Sequence, residues 1–356
     1  MNIPTRYPYL PPEWAPQSGI QLTWPHAGTD WAPVLADAQR TFLDIARVVS
    51  RHERLLVVTP EPEATRRQLR EGGAQMGNIT LLRCPTNDTW ARDHAPLTLV
   101  DEGGKPVLLD FAFNGWGLKY PADRDNLITR RACKADALSG RYENHLDFVL
   151  EGGSVETDGR GTLLTTTSCL LSPNRNPRLS RREIEARLLS ALHADRVLWL
   201  EHGHVAGDDT DGHIDTLARM APDDTILYTQ CTDTADEHFA DLRLMEDELR
   251  ALRTANGQPY RLLPLPLPRP IVDDLGRRLP TTYANFLVIN GAVLLPTYRQ
   301  PLLDLQAADA LTQAFPGREV VGVDCTTLIR EHGSLHCVSM HYPEGVLLPS
   351  LFDILP

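Results

Sequence analysis

Apolar positions along the chain fall into two recurring patterns. Short apolar runs of strand length occupy residues 55–58, 79–83, 107–111, 162–167 and 225–230. Longer stretches carry apolar residues on one helical face. In residues 31–51, Val34, Leu35, Ala38, Phe42, Ile45 and Val49 share a side, which predicts a helix. Residues 61–76 predict a second helix that ends near Gly72-Gly73, and a short strand begins at Ile20.

From residue 96 onward the runs pair into hairpins. Residues 96–100 and 107–111 flank a turn at Gly103. Residues 148–156 and 162–167 flank Asp158-Gly159, 213–220 and 225–230 flank Pro222-Asp223-Asp224, and 283–289 and 292–298 flank Asn290-Gly291. Helical patterns follow the last three hairpins, at 181–192, 237–253 and 302–314. Each leads to a further apolar strand, at 197–200, 260–265 and 319–323. Hairpin, helix and strand thus recur with a loose period. Together with the opening unit this makes about five modules, which predicts an α/β propeller-like domain with a central cavity. Two-domain βαβ alternation is the competing reading. The Pro-rich stretch 264–280 reads as a connector, or as a lid at the cavity mouth.

Composition narrows the function. The chain has 356 residues, 42% hydrophobic and 23% charged, which suits a globular protein with a substantial core. The net charge of -12 disfavours a nucleic-acid partner and fits a cationic one. No run approaches the ~20 apolar residues of a membrane span. The Pro-rich start has no apolar leader core, so a cytoplasmic protein is expected. The six cysteines show no CxxC pairing and are expected to be free thiols.

Four polar clusters sit beside predicted strand ends, each in a different module: Trp90-Ala91-Arg92-Asp93-His94, Glu151-Gly152-Gly153-Ser154, His213-Ile214-Asp215, and the segment from His332 to His341 that contains Cys337. In a strand, His213 and Asp215 would project to the same face. If the modules surround a cavity, the clusters meet inside it. Two carboxylates such as Asp93 and Asp215 sit together in a buried place when a cation lies between them. A planar guanidinium suits that role, since its N–H groups fork onto carboxylate oxygens. A Cys337 thiolate can then attack the central carbon. His213, supported by Glu151, can protonate the departing amine and later activate a water. Trp90 and Trp116 are core aromatics or pocket walls that stack on a flat cation. Asp208, Asp209 and Asp211 form a solvated turn, or one of them meets the far end of the substrate.

A metallohydrolase using His202, His204, His213, Asp215, His332, His336 and His341 with Glu151 as base is a different reading, although the spacing matches no tight zinc signature. A non-enzymatic binding module would leave the cysteine, histidine and three carboxylates unexplained.

Together, Trp90-Ala91-Arg92-Asp93, Glu151-Gly152-Gly153-Ser154, Gly212-His213-Ile214-Asp215, Leu335-His336-Cys337 and Ser172-Pro173-Asn174-Arg175-Asn176-Pro177 resemble the motif set of the agmatine deiminase and bacterial-type peptidylarginine deiminase family. The resemblance runs from about residue 13 to residue 343. It implies the pentein fold, a five-bladed α/β propeller, as one domain over residues 1–356. It also implies Asp93 and Asp215 as guanidinium-binding aspartates, Glu151 and His213 as the carboxylate–histidine pair, and Cys337 as nucleophile. The expected reaction converts agmatine to N-carbamoylputrescine and ammonia, a step of putrescine formation, with neither cofactor nor metal. Asp93, Asp215, Trp90, Trp116 and Asp209 are the expected substrate contacts. Peptidylarginine or another guanidino compound is the alternative substrate, and an amidinotransferase would share the first chemical half. The plant-type glycine run before the cysteine is replaced here by His332-Gly333-Ser334, which bears on the choice of substrate. A small cationic guanidino compound is the expected partner, without nucleic acid or membrane; a homodimer is left open.

Overall fold

The computed structural model describes residues 7–349 and 354–356. Five sheets organise it, one of five strands and four of three. Each three-stranded sheet is an antiparallel hairpin followed by a crossover to a parallel third strand, as in Leu97–Val100, Pro106–Ala112 and Arg141–Val149. The other three are Glu156–Thr157, Thr162–Thr166 and Arg196–Leu200; Ala218–Ala221, Thr225–Gln230 and Arg261–Pro266; and Leu287–Ile289, Ala292–Thr297 and Glu319–Asp324. This is the five-module α/β propeller that the repeat predicts.

The fifth sheet joins the two ends of the chain. Gln17–Thr23 pairs in parallel with Arg54–Thr59 on one side and antiparallel with Ser339–Pro343 on the other. The antiparallel arm of the first module thus comes from the C-terminal end. That closure brings the segment before residue 17 next to the segment before residue 339.

The middle strands are buried along almost their whole length, as expected for strands covered on both faces. Helices provide one cover. The helix Leu35–His52 buries Ala38, Phe42, Ile45, Ala46 and Val49. Each of its large apolar side chains contributes about 1.5–3 kcal/mol by leaving water. Arg181–Ala191 begins at a capping box, in which Ser180 and Glu183 satisfy each other's backbone N–H groups. The second module also has a helix, Ile128–Lys134, too short to show a clear period in the sequence.

Two of the predicted strands break where they reach the cavity. Residues 148–156 divide into the end of Arg141–Val149, a 3-10 turn Gly152–Ser154 and the short strand Glu156–Thr157. Residues 213–220 divide into a 3-10 turn Ile214–Thr216 and the strand Ala218–Ala221. Asp211 and Gly212 enter the second turn with φ of 68° and 90°, and the Thr216 hydroxyl donates to the His213 carbonyl at 2.9 Å. The alternation of residues 213–220 is therefore not a strand alternation in its first half. The stretch 264–280 ends one strand and continues as irregular chain.

Candidate active site

The polar clusters occupy the turns, not the strands. Ala91–His94 is a single helical turn, Gly152–Ser154 and Ile214–Thr216 are 3-10 turns, and Leu335–Val338 is a turn before the strand Ser339–Pro343. A short turn can aim consecutive side chains in different directions, which a strand pleat does not allow. Asp93, Glu151, His213, Asp215 and Cys337 are all buried.

Gly153 marks the meeting point. A Cβ on it would stand 2.6 Å from His213 Nδ1 and 3.0 Å from both Asp215 Oδ2 and Asp93 Oδ1. Only glycine leaves room for these three groups to converge, and the Gly153 N–H donates to Asp93 Oδ1 at 2.9 Å. Trp116 Nε1 donates to Asp93 Oδ2, also at 2.9 Å. Both donors favour the carboxylate, but burial and Glu151 outweigh them and push Asp93 up to about 7. Asp215 is pushed well above the usual carboxylate range by burial and by Asp93. Its Oδ2 faces His336 Nδ1 at 2.7 Å, and its Oδ1 is buried without a hydrogen-bond partner. Two buried carboxylates, one with an unpartnered oxygen, form a site suited to a cation.

Cys337 is fixed through Asn285, whose Oδ1 accepts from the His336 N–H at 2.8 Å, the Cys337 N–H at 3.3 Å and the thiol at 3.4 Å. Burial, Asp215 and Asp93 raise the thiol well above its ordinary value. A bound cation would offset the two carboxylate contributions. His213 is held well below the usual histidine range by burial and by Arg175, so it rests neutral. Neither of its ring nitrogens has a hydrogen-bond partner.

Glu151 makes no hydrogen bond to the His213 ring. Both of its oxygens accept from Arg175 Nε, at 2.9 and 3.0 Å. Arg175 also donates to Asp211 Oδ2 at 2.6 Å and to the Thr210 carbonyl at 2.7 Å. A Glu151 oxygen, Cys169 Sγ and a His213 ring nitrogen lie within 4.8 Å of one another, the one cluster among the described residues with spacing suited to a metal ion. Of the histidines in the metallohydrolase reading, His213 joins it and the others do not. His202 pairs with Glu248, His204 stacks on His238, His332 Nδ1 meets the Gly207 carbonyl, and His336 and His341 face Glu13.

The pocket above Cys337 encloses about 410 Å³. It is lined by Trp90, Asp93 and Trp116 toward its floor and by Asp30, Asp88, Tyr120, Asp209, Glu331 and His332 elsewhere, and none of its lining residues is Lys or Arg. Trp90 and Trp116 meet edge to face at 6.3 Å. Trp116, Gly117 and Leu118 form a left-handed run with φ of 55°, 85° and 69°. Asn114 accepts from the Gly117 N–H, Lys119 is clasped by the Asp209 carbonyl and Asp211, and the Tyr120 hydroxyl donates to Asp209 Oδ2 at 2.7 Å. These contacts hold an unfavourable backbone in place, which fixes the wall that carries the Trp116 N–H.

Sequence reading thus named Trp90, Asp93, Trp116, Glu151, Asp209, His213, Asp215 and Cys337. It gave no role to Glu13 or Asn285, named His336 only as a metal ligand of the alternative reading and within a motif, and placed Arg175 only within a motif. Arg175 sits in a Pro-bounded polar run and Asn285 in the apolar run of residues 283–289, with no local signal for the role of either.

A family model described as Porphyromonas-type peptidyl-arginine deiminase matches residues 9–343. Agmatine deiminase of Pseudomonas putida is 32% identical over 362 residues, which cover 95% of this chain and 96% of that protein. A solved Porphyromonas gingivalis protein proposed to be an arginine deiminase is 51% identical with a TM-score of 0.89, covering 95% of this chain and 99% of its own. The substrate-bound agmatine deiminase of Campylobacter jejuni is 35% identical with a TM-score of 0.88, covering 95% of this chain and 96% of its own.

Proposed function

The chain belongs to the family of agmatine deiminases and Porphyromonas-type peptidyl-arginine deiminases, and from that membership we propose that it hydrolyses agmatine to N-carbamoylputrescine and ammonia through a covalent Cys337 adduct. The observation that carries the choice of substrate is the charge of the pocket. Its floor presents Asp93 and Cys337, with Asp215 beside them, and its remaining walls include Asp30, Asp88, Asp209 and Glu331 with no Lys or Arg. Agmatine is positive at both ends. Free arginine would bring an α-carboxylate into this acid-lined space without a basic partner, at a cost in desolvation and repulsion.

In this reading Asp93 and Asp215 grip the guanidinium N–H groups. The cation offsets the negative field that keeps Cys337 protonated. Neutral His213 accepts the thiol proton, and Cys337 Sγ adds to the guanidinium carbon. The tetrahedral adduct collapses as His213 returns the proton to the departing nitrogen, which leaves as ammonia. A thiouronium remains on Cys337. His213 then deprotonates a water that adds to the same carbon, and collapse of that adduct releases the ureido product and the thiolate. Glu151 supports the imidazolium on His213, its own charge tempered by Arg175. Asp209 and its acidic neighbours take the distal ammonium. No helix among the described residues is long and apolar enough to cross a membrane.

The test is ammonia release from agmatine, arginine, a blocked arginine peptide and buffer alone, each with and without EDTA and iodoacetamide. Release from agmatine alone, blocked by iodoacetamide and indifferent to EDTA, is expected. Release from the peptide would move the substrate to protein, and loss with EDTA would overturn the cysteine mechanism.

A further inference from the structure

Two cavities lie back to back across the catalytic turns. Consecutive residues divide between them. Asp93 and Cys337 line the front pocket, while Arg92 and His336 line a rear cavity with Glu13, Glu156 and His341. His336 is 2% exposed and stands between two carboxylates, with Nδ1 2.7 Å from Asp215 Oδ2 and Nε2 2.7 Å from Glu13 Oε2.

The partners of Glu13 fix one end of this chain of contacts. Glu13 Oε1 accepts from the Val288 N–H at 2.7 Å. Its Oε2 lies 3.3 Å from Arg92 Nη2 and 3.2 Å from Arg219 Nη2. Despite its burial, contact with His336, Arg219 and Arg92 holds Glu13 ionised. Glu13 therefore accepts from His336 Nε2, which must carry a proton. At the other end one proton is shared between Nδ1 and Asp215 Oδ2. In the empty site burial and Asp93 favour that proton on Asp215, and burial with Arg219 and Arg92 keeps the ring neutral. His341 Nδ1 lies 3.0 Å from Arg92 Nη1 and is pushed down to about 4, so it stays neutral too.

We infer that His336 is a positioning residue that takes the proton of Asp215 when a guanidinium cation enters the front pocket, and returns it when the product leaves. The O–H bond on Asp215 Oδ2 breaks and an N–H bond forms on Nδ1 across the same 2.7 Å contact. No proton need reach solvent. The charge count supports the transfer. Glu13, Glu156, Asp93 and Asp215 then stand against Arg92, Arg219, the imidazolium and the substrate guanidinium, four charges of each sign. With His336 neutral and both clamp aspartates ionised, the negative charges would be in excess in a buried place, which is costly. Asp215 thereby offers Oδ1 as a full anion to the cation while Oδ2 stays held by the ring.

The inference rests on the guanidino-cation reading of the front pocket. Its test is calorimetric proton counting for agmatine binding at pH 6, in buffers of different ionisation enthalpy, on a Cys337→Ser background that cannot turn over. His336→Gln, Glu13→Gln and the pair together are compared with the parent. His336→Gln is expected to release one more proton than the parent. Its kcat/KM in the Cys337 enzyme should lose one additional factor of ten per pH unit on the acid side, carried by KM and not by kcat. The double variant restores the pairing of hydrogen-bond donors and acceptors, so a merely structural role would return the parent profile; the extra proton persists if His336 holds it. Should His336→Gln fail to fold, Glu13→Gln alone removes an anion that favours the imidazolium and is expected to shift proton release the same way. Equal proton counts and parallel pH profiles across the set would overturn the inference while leaving the proposed reaction standing. An unsubstituted enzyme, with Cys337 in place, that turns over agmatine at no pH of the profile would instead refute the proposed function.

Discussion

Replacing Trp116 with Phe isolates one hydrogen bond at the centre of the site. The Trp116 N–H donates at 2.9 Å to Asp93 Oδ2, and both residues are buried. Phe keeps an aromatic wall, with Phe113 at 5.0 Å and Trp90 at 6.3 Å from the present ring. It demands nothing new of the left-handed backbone. A hydrogen bond to a charged group contributes about 1.5–3 kcal/mol, equivalent to about one to two pKa units. Asp93 stands at about 7 with this donor in place, so without it the carboxylate should titrate about one to two units higher. Substrate binding requires the ionised form, so the acid limb of kcat/KM must move toward higher pH. At pH 7 the ionised fraction falls from about half to between about one-tenth and one-hundredth, a loss of roughly 5- to 50-fold. Above the new pKa the two enzymes should converge to within about twofold. The assay is ammonia release from agmatine at subsaturating concentration between pH 6 and 10. Two profiles of the same shape, offset by a constant factor, would refute the reasoning and leave Trp116 as a wall only.

Cys337→Ser should abolish ammonia release while the melting temperature stays within a few degrees of the parent; near-normal activity would remove the nucleophile. Arg175→Met strands Glu151 as a buried unpaired carboxylate, and losing one partner of such a pair costs about 3–5 kcal/mol. Denaturant titration should show that loss, and a combined Arg175→Met, Glu151→Gln variant should regain most of the stability but not the activity. Glu53 is buried with Oε1 unpartnered, and burial pushes its carboxyl up to about 7. Because its folded pKa exceeds the unfolded value, its contribution to stability is present in full below pH ~4 and is lost as pH rises through about 7. Glu53→Gln should therefore match the parent at pH 4–5 and exceed it by up to about 3 kcal/mol at pH 8.5; stability curves that stay parallel across this range would contradict the assignment.

The repeat of hairpin, helix and strand was legible because each module buries its middle strand on both faces, which writes continuous apolar runs such as Thr225–Gln230 and Ala292–Thr297 into the sequence. The chemistry-bearing residues were legible by type and by clustering, since Cys337, His213 and three carboxylates beside strand ends have few structural uses in common. Their local geometry was not. Residues 213–215 read polar, apolar, polar, but they lead into a 3-10 turn that Thr216 closes onto the His213 carbonyl. A period-two pattern this short cannot distinguish a strand from such a turn. The role first given to Glu151 met a similar limit. Adjacent motifs suggested a carboxylate leaning on His213, whereas the strongest partner of that carboxylate is the Arg175 guanidinium, whose planar N–H groups also span Asp211 and Thr210.

What no local pattern could disclose is the rear of the site, and the reason lies in how the sheets close. Glu13 and His336 are 323 residues apart. They meet because Gln17–Thr23 lies between Arg54–Thr59 and Ser339–Pro343, so the first and last modules complete a single sheet. Each residue sits a few positions before the strand that makes the closing contact. The register of that pairing, Ile20 opposite His341 and Leu22 opposite Ser339, sets the distance between the turn that carries Cys337 and the segment that carries Glu13. A one-residue slip would send His341 to the opposite face and displace the turn that carries His336. The same pairing that covers the outer side of Gln17–Thr23 therefore positions the support of Asp215, and a substitution that loosens the closing strands should weaken agmatine binding before it unfolds the chain.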